Sequence, residues 1–488
     1  MVVQPSSAKW DAIVVGSGVG GCVTAGLLAR AGRRVLVLEK NTVPGGILAS
    51  RERDGFKIDS GSHLISRGAR GPLGRVLRLL DLDSPRFIIH PIPVRSRGIF
   101  DITAPPTRAG LPRVALEAAR KLRLPPRERF ALVRMLVRMF TLTEPELRAW
   151  DRRTLDEFLR RYTSHPGAYF LFSFLASIFF VLPPWRASAG ESIRCLRSLL
   201  IDYSLSYLEG GMSMFSHAVL SRVGETGGAL VARAQVVSIE PIRQGWLAVT
   251  TSDGTSYESR QVACNMAPAD LLRIIDRRAL GEAWAAQASA VRSSGNAHQI
   301  KLALKRRLVD EGCLIAGISL EGLTLADLSI DLMQRTVENI EAGRISDPLV
   351  IYASVPTNYD PSLAPPGHQL IIASIYGSVR EDPVDPPERW RDRGLAALAS
   401  IIPGLEDNLL FAEFTPVPAL GRWMGKSANA AISNGQFPGQ VGRDRLPVVT
   451  PLSGLYLCGD GAGGRGIGTE LAATSGMEAA TAMLKAVA

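Results

Sequence analysis

Asp11-Ala-Ile-Val-Val-Gly16-Ser-Gly18-Val19-Gly20-Gly21, continued by a helix-length stretch to Ala31 and by Arg34-Val-Leu-Val-Leu-Glu39, decides the fold. Ala12 to Val15 is a short, uncharged, β-prone run, which suits a buried central strand of a parallel sheet. Gly16, Gly18 and Gly21 follow in GxGxxG spacing. The first glycine permits a tight turn, the second lets backbone approach a pyrophosphate, and the third lets the next helix pack closely on its strand. Val19, Gly20 and Gly21 open that helix, so an anion at the turn meets the N–H groups of a helix N-terminus. The second strand, Arg34 to Leu38, ends in Glu39. A carboxylate there accepts the ribose hydroxyls of an adenosine and repels a 2′-phosphate. Strand, glycine turn, helix, strand and acid together predict an α/β dinucleotide-binding unit rather than a ligand-free glycine turn.

The surrounding 488 residues are long enough for two or more domains. Hydrophobic residues make up 46% and the formal net charge is +10, which describes a globular, basic protein. A diffuse positive excess favours anionic partners. Such partners are nucleic acid, a phospholipid surface or an acidic substrate; no nucleic-acid-binding motif is present, so an anionic membrane surface is the first alternative to test. The five cysteines are scattered, odd in number and form no CxxC pair, which argues against a disulfide framework, a zinc site and a redox-active disulfide. Residues 1–10 carry no apolar signal core, so the expected location is cytoplasmic.

Downstream, Lys40 leads into a loop with Gly45-Gly46-Ile47, and Asp54-Gly-Phe-Lys-Ile-Asp59-Ser-Gly61-Ser62-His63 reads as a turn, a short strand and a second glycine turn. Glycine fingerprint, acid, GG loop and DG-aromatic-x-aliphatic-D-x-G-x-H in this succession resemble the FAD-dependent superfamily of phytoene desaturases, carotenoid isomerases, retinol saturases and flavin amine oxidases. In those families the GG loop lies along the pyrophosphate and ribityl chain of FAD. Its usual third residue is arginine, and here it is Ile47.

The last forty residues extend the resemblance. Thr450 to Asp460 reads as a turn, a buried strand and an acidic end; a glycine-rich run to Gly468 then leads into a helix from Thr469 to Lys485. In the resembling families the acid contacts the ribityl-pyrophosphate end and the helix N-terminus faces the flavin O2, where its partial positive charge favours reduced flavin. Gly459, Gly461 and Gly464 fit GxGxxG again, but with no strand and acid after them a separate nicotinamide dinucleotide domain is not expected. The block from Glu209 to Asn265 reads as a helix to Val223, strands Ala229 to Ile239 and Leu247 to Thr251, a turn at Ser252-Asp253-Gly254, and a strand at Gln261 to Asn265. By resemblance it returns the chain to the FAD domain, with Val236 as the residue whose backbone meets the adenine.

The resemblance thus implies a discontinuous Rossmann-like FAD-binding domain (1–105, 206–275 and 441–488) with an inserted α+β substrate domain (106–205 and 276–440). The cofactor-binding set it implies is Gly16, Gly18, Val19, Gly20, Gly21, Glu39, Lys40, Gly45, Gly46, Ile47, Gly61, Ser62, His63, Val236, Gly459, Asp460, Gly468 and Thr469. The FAD is expected to be non-covalent, with Cys458 a buried thiol.

Two features belong to the insert. Between Arg113 and Arg138 stand eight Lys or Arg and two Glu, split by Pro125-Pro126 into two helical segments. On the second, Phe130, Val133, Val137 and Phe140 share one face and Arg127, Arg134 and Arg138 another, which fits a membrane surface or a solvated outer helix. Tyr169 to Leu182 is fourteen residues without charge, five of them Phe. That is too short to span a bilayer, leaving a buried helix, the wall of a tunnel for a lipid-like substrate, or a monotopic insertion.

A flavin carries its own hydride chemistry, so no catalytic triad or metal set is required. Lys301, on a strand at His298 to Leu304, is the one catalytic candidate, by analogy with a strand lysine that reaches flavin N5 through water in amine oxidases; a lysine reaching solvent is the plainer reading. The leading expectation is an FAD-dependent desaturase, saturase or isomerase of a hydrophobic isoprenoid or polyene. An amine or amino-acid oxidase and a non-catalytic FAD-binding protein are the alternatives.

Overall fold

The computed structural model describes residues 10–61, 64–90, 95–98, 101–103, 108–243 and 245–486. Five parallel strands form the nucleotide-side sheet, in the order Leu455–Leu457, Val262–Cys264, Ala12–Val15, Val35–Leu38, Ala229–Val231. The strand read first is therefore the central one. Its residues alternate between two cores, as the period of a strand requires. Ile13 and Val15 pack with Leu36, Val236, Ile239 and Val249 beneath a three-stranded antiparallel sheet. Ala12 and Val14 face the other way, onto Ala25, Leu28 and Met483 of the helices Val19–Arg30 and Gly468–Lys485. All four residues of the strand are buried, which explains the uninterrupted apolar run.

One expected strand divides in two. Ala229 to Ile239 is not continuous: Ala229–Val231 ends the parallel sheet and Val236–Arg243 begins the antiparallel one. Arg233 between them has φ +58°, a left-handed turn that breaks the extended chain.

The second sheet has seven strands, ordered Leu409–Thr415, Asn296–Leu304, Gln369–Gly377, Leu349–Ser354, Cys313–Ile318, Arg95–Gly98, Ile102–Thr103. Ile300, Leu302 and Leu304 point to a core shared with Trp390, Ala397 and Leu398 of the helix Pro387–Ile401. Their neighbours Gln299, Lys301 and Ala303 occupy the opposite face. Along that face Gln299 meets a cavity, whereas Ala303 packs under the hairpin of Ser50–Arg53 and Phe56–Asp59.

A helical layer completes the molecule. The helices Leu111–Lys121 and Pro126–Thr141 flank Pro125, as the proline pair predicts. Helix Pro166–Phe180 carries the uncharged run; Phe170, Phe174 and Phe180 pack with Met135, Trp150 and Ile193. Among the described residues no helix is long and apolar enough to cross a membrane.

Candidate functional site

The C-terminal ends of the parallel strands converge on one place, where open α/β sheets bind ligands. Gly16 follows one strand, Glu39 the next, Asn265 the third and Cys458 to Asp460 the fourth. Gly16 turns with φ +89°. A Cβ at Gly18 would come within 2.6 Å of Asn265 Nδ2, so a side chain there would have to displace that amide. Gly45 and Gly46 both adopt positive φ, +113° and +60°, and a Cβ at Gly46 would lie 3.1 Å from the Gly18 Cα. The glycine turn and the GG loop thus form one bare backbone cradle.

From this cradle a cavity of about 1690 Å³ runs into the helical layer. Gly16, Gly18, Val19, Glu39, Lys40, Gly46, Ile47, Gly61, Val236, Asp460, Gly468 and Thr469 line it. Gly20, Gly21, Gly45 and Gly459 stand behind the wall as packing positions: a side chain on Gly20 would collide with Gly459 backbone, and one on Gly21 with the Gly16 carbonyl. Ser62 and His63 lie outside the described residues.

Glu39 is 4% exposed and held by three donors: Ser17 N–H at 2.9 Å, Ser17 O–H at 2.5 Å and Asn41 N–H at 2.8 Å. It locks the glycine turn and still presents its edge to the cavity. Asp460 accepts from Lys426 Nζ at 2.5 Å, Ser433 N–H at 2.9 Å and Ser433 O–H at 3.1 Å. Burial pushes its carboxyl up, but Lys426 and Ser433 outweigh that and hold it below the usual carboxylate range. Cys458 is fully buried in the strand–helix core and off the cavity wall; burial pushes its thiol up to about 12.

These donors fit FAD. A carboxylate and Val236 bound one end, bare glycine backbone and a helix N-terminus suit the diphosphate, and the N-terminus of the helix Gly468–Lys485 opens onto the remaining space.

Beyond the cradle the walls become apolar. Leu171, Phe172, Phe174, Leu175, Ile178 and Phe179 line the cavity from one side and Leu196, Leu199 and Leu200 from another. The uncharged run therefore packs one face into a core and turns another to the cavity. The polar groups at this end are few. Gln299, 5% exposed, donates to Ser374 Oγ at 2.9 Å beside Tyr352 and Tyr376. Glu470, 6% exposed in the first turn of the last helix, accepts from Ser66 O–H at 3.2 Å and Arg67 at 3.5 Å. Burial raises its carboxyl above the usual range against the pull of Arg67 and Ser66.

Lys301 does not line the cavity. It is 5% exposed, donates to Thr415 Oγ1 at 3.3 Å, and lies under the Ser50–Asp59 hairpin near Arg51 and Asp59. It does not reach solvent either, and burial, followed by the charge of Arg51, lowers its ammonium to about 8.

Sequence reading missed Asn265, Gln299, Lys426 and Glu470. Asn265 alone had a local signal, since it follows a strand at the level where Glu39 follows its own. Among the described residues no cluster suits a metal ion.

A family model described as flavin-containing amine oxidoreductase matches residues 19–484. An all-trans-retinol 13,14-reductase of Rattus norvegicus is 46% identical over 69 residues, which is 14% of this chain and 11% of that protein. A prolycopene isomerase of an Oncidium hybrid cultivar is 23% identical over 93% of this chain and 80% of its own length. The solved cyclohexylamine oxidase of Brevibacterium oxydans superposes with a TM-score of 0.63 at 15% identity, covering 98% of this chain and 99% of that one, and shares the fold.

Proposed function

The chain belongs to the family of flavin-containing amine oxidoreductases and is an FAD-dependent oxidoreductase; on that premise we propose that its substrate is a long hydrophobic isoprenoid or polyene, which it desaturates, saturates or isomerises. The observation that carries this reading is the apolar arm of the cavity, walled by helices Pro166–Phe180 and Ala189–Ile201 and continuous with the glycine cradle. Relatives named for retinol and prolycopene, both polyenes, support it.

FAD, when bound, supplies hydride transfer at N5. The chain supplies position, exclusion of water and a place for the proton. The phenylalanine and leucine walls hold an extended hydrocarbon without offering it a hydrogen bond. Among the described residues five acidic ones line the cavity, and of these Glu39, Asp270, Glu381 and Asp460 belong to the nucleotide side, leaving Glu470 at the apolar end. Its carboxylate oxygens are the acceptor for a proton leaving carbon in desaturation, and the protonated form is the donor in saturation. Conjugation spreads the charge that develops on the substrate, so a carboxylate is base enough.

We further propose a peripheral, non-spanning attachment to an anionic membrane. On the helix Pro126–Thr141 Phe130, Val133, Val137 and Phe140 are 70%, 58%, 58% and 45% exposed, while Met135 and Met139 are buried. Phe140 also lines the cavity, so the exposed apolar row continues to the cavity wall.

An amine or amino-acid oxidase is the second reading, favoured by Tyr352 and Tyr376 at the wall and by Glu470 as a partner for an ammonium. One experiment separates the two. Anaerobic flavin bleaching is followed with detergent-dispersed polyenes and, separately, with aliphatic and aromatic amines, beside product analysis after co-expression with isoprenoid pathways. Bleaching by amines alone, with no altered isoprenoid, overturns the polyene reading.

A further inference from the structure

The cradle contains an electrostatic problem. Asp460 lies among the groups that line the cavity with Gly16, Gly18 and Gly46, and its pull on donors keeps it ionised. A diphosphate placed on this backbone brings two more negative charges beside a half-buried carboxylate. The partial positive charge of one helix N-terminus, about half a unit, does not balance them. At the third position of the GG loop Ile47 offers no charge at all.

Among the described residues four cations line the nucleotide side of the cavity: Lys40, Arg273, Arg422 and Lys426. Arg273 and Arg422 leave 70% and 68% of their side chains in solvent. Lys40 donates to the Arg422 carbonyl. Lys426 differs, being 16% exposed, with Nζ at 2.5 Å from Asp460 and 2.7 Å from the Ala431 carbonyl. An ammonium has three donors, so one remains for the cavity.

We propose that Lys426 is the counter-cation of the FAD diphosphate, its ammonium shared between Asp460 and the phosphates in place of a cation from the GG loop. The stretch Arg422 to Ser427, every residue of which lines the cavity, then closes over the cofactor as well as over the cradle. The assignment rests on FAD as the cofactor, and wild-type binding of FAD tests that premise separately.

The test is titration of flavin-free protein with FAD and with riboflavin, which carries no phosphate, followed by flavin fluorescence. Lys426→Met should weaken FAD by about tenfold or more, the worth of a charge-assisted hydrogen bond, and leave riboflavin unchanged. Lys426→Arg should keep most of the FAD affinity. Since Lys426→Met also strands Asp460, the double variant Lys426→Met with Asp460→Asn removes both charges and separates the roles. The double variant is compared with Asp460→Asn alone, in which Lys426 keeps its charge: if the two bind FAD equally, Lys426 serves only Asp460 and the proposal fails. Equal loss of FAD and riboflavin in the single variant overturns it too. A weaker salt dependence of FAD binding in the double variant than in wild type supports it.

Discussion

Glu39 holds the nucleotide turn in shape before any ligand arrives, because Ser17 and Asn41 spend three donors on it. Its partners were not legible in the sequence, although its position at the end of the second strand was. Glu470 is the opposite case: nothing in Gly468-Thr469-Glu470 marks it, and only folding brings it to Ser66 and Arg67 beside an apolar wall. The groups around it are Arg67 and Asp202, with Cys195 and Arg465 nearby on neighbouring elements. If Glu470 accepts the substrate proton, Glu470→Gln should slow flavin reduction by roughly 100-fold or more, while FAD affinity stays unchanged. Wild-type reduction should fall as pH drops through the raised pKa of Glu470, and the variant should lose that limb. Stopped-flow bleaching across pH, using whichever polyene bleaches the wild type, reads both. An unchanged pH profile removes Glu470 from the chemistry.

Elements were legible wherever backbone chemistry is local. The glycine turn, the GG loop and the closing helix each declare themselves through residues that must take positive φ or lie against backbone. Ala229 to Ile239 was misread because β-propensity says a residue is extended but not which sheet it joins. Lys301 was misread because its cover, the Ser50–Asp59 hairpin, lies 242 to 251 positions earlier in the sequence and belongs to a different motif. That cover has a consequence for stability. Burial drives Asp59 up to about 7, against hydrogen bonds from Ser50 and Met212. A raised folded pKa gives stability that is full below the ordinary value and lost as pH rises through the folded one. Lys301, lowered to about 8, has the opposite sign and acts at higher pH: its contribution is full above its ordinary value and lost as pH falls through 8. Asp59→Asn should therefore gain on wild type between about pH 4 and about pH 7 in urea denaturation; parallel curves would place the Asp59 carboxyl at an ordinary pKa. The helix Pro126–Thr141 carries a third expectation. Arg138 is paired with Glu146 and Arg134 lies over the Tyr162 ring, so the exposed apolar row is the cleaner target for mutation. Phe130→Ser with Val133→Ser and Val137→Ser should weaken pelleting with anionic liposomes by about tenfold or more, largely independent of salt. Wild type that stays in the supernatant at low salt ends the membrane proposal.

The whole molecule is one chain woven repeatedly between its sheets and the helical layer, so the cofactor cradle and the apolar arm can move apart only if the contacts between them yield. Arg465, in the glycine-rich run after Asp460, makes one set of these contacts. It pairs with Asp151 at 2.7 Å and with Glu191 on the helix Ala189–Ile201, while the Gly466 N–H donates to Glu191 at 3.0 Å. The Asp151 and Glu191 side chains are 6% and 1% exposed; Arg465 is the ion-pair partner of both, and the buried Arg445 adds a second positive charge near Glu191. Leaving a buried carboxylate without its partner costs more than the pair ever contributed, so Arg465→Met should lose about 3 kcal/mol or more of stability. Arg465→Lys, which keeps the charge but not the fork, should fall between. FAD binds the folded cradle and stabilises it by mass action, so saturating FAD should recover part of the loss in the variant. Urea denaturation followed by tryptophan fluorescence and by flavin release tests the coupling directly. In wild type the two probes should coincide; in Arg465→Met the helical layer should unfold ahead of flavin release. Coincident transitions at an unchanged midpoint in Arg465→Met would show that Arg465 does not join the two halves.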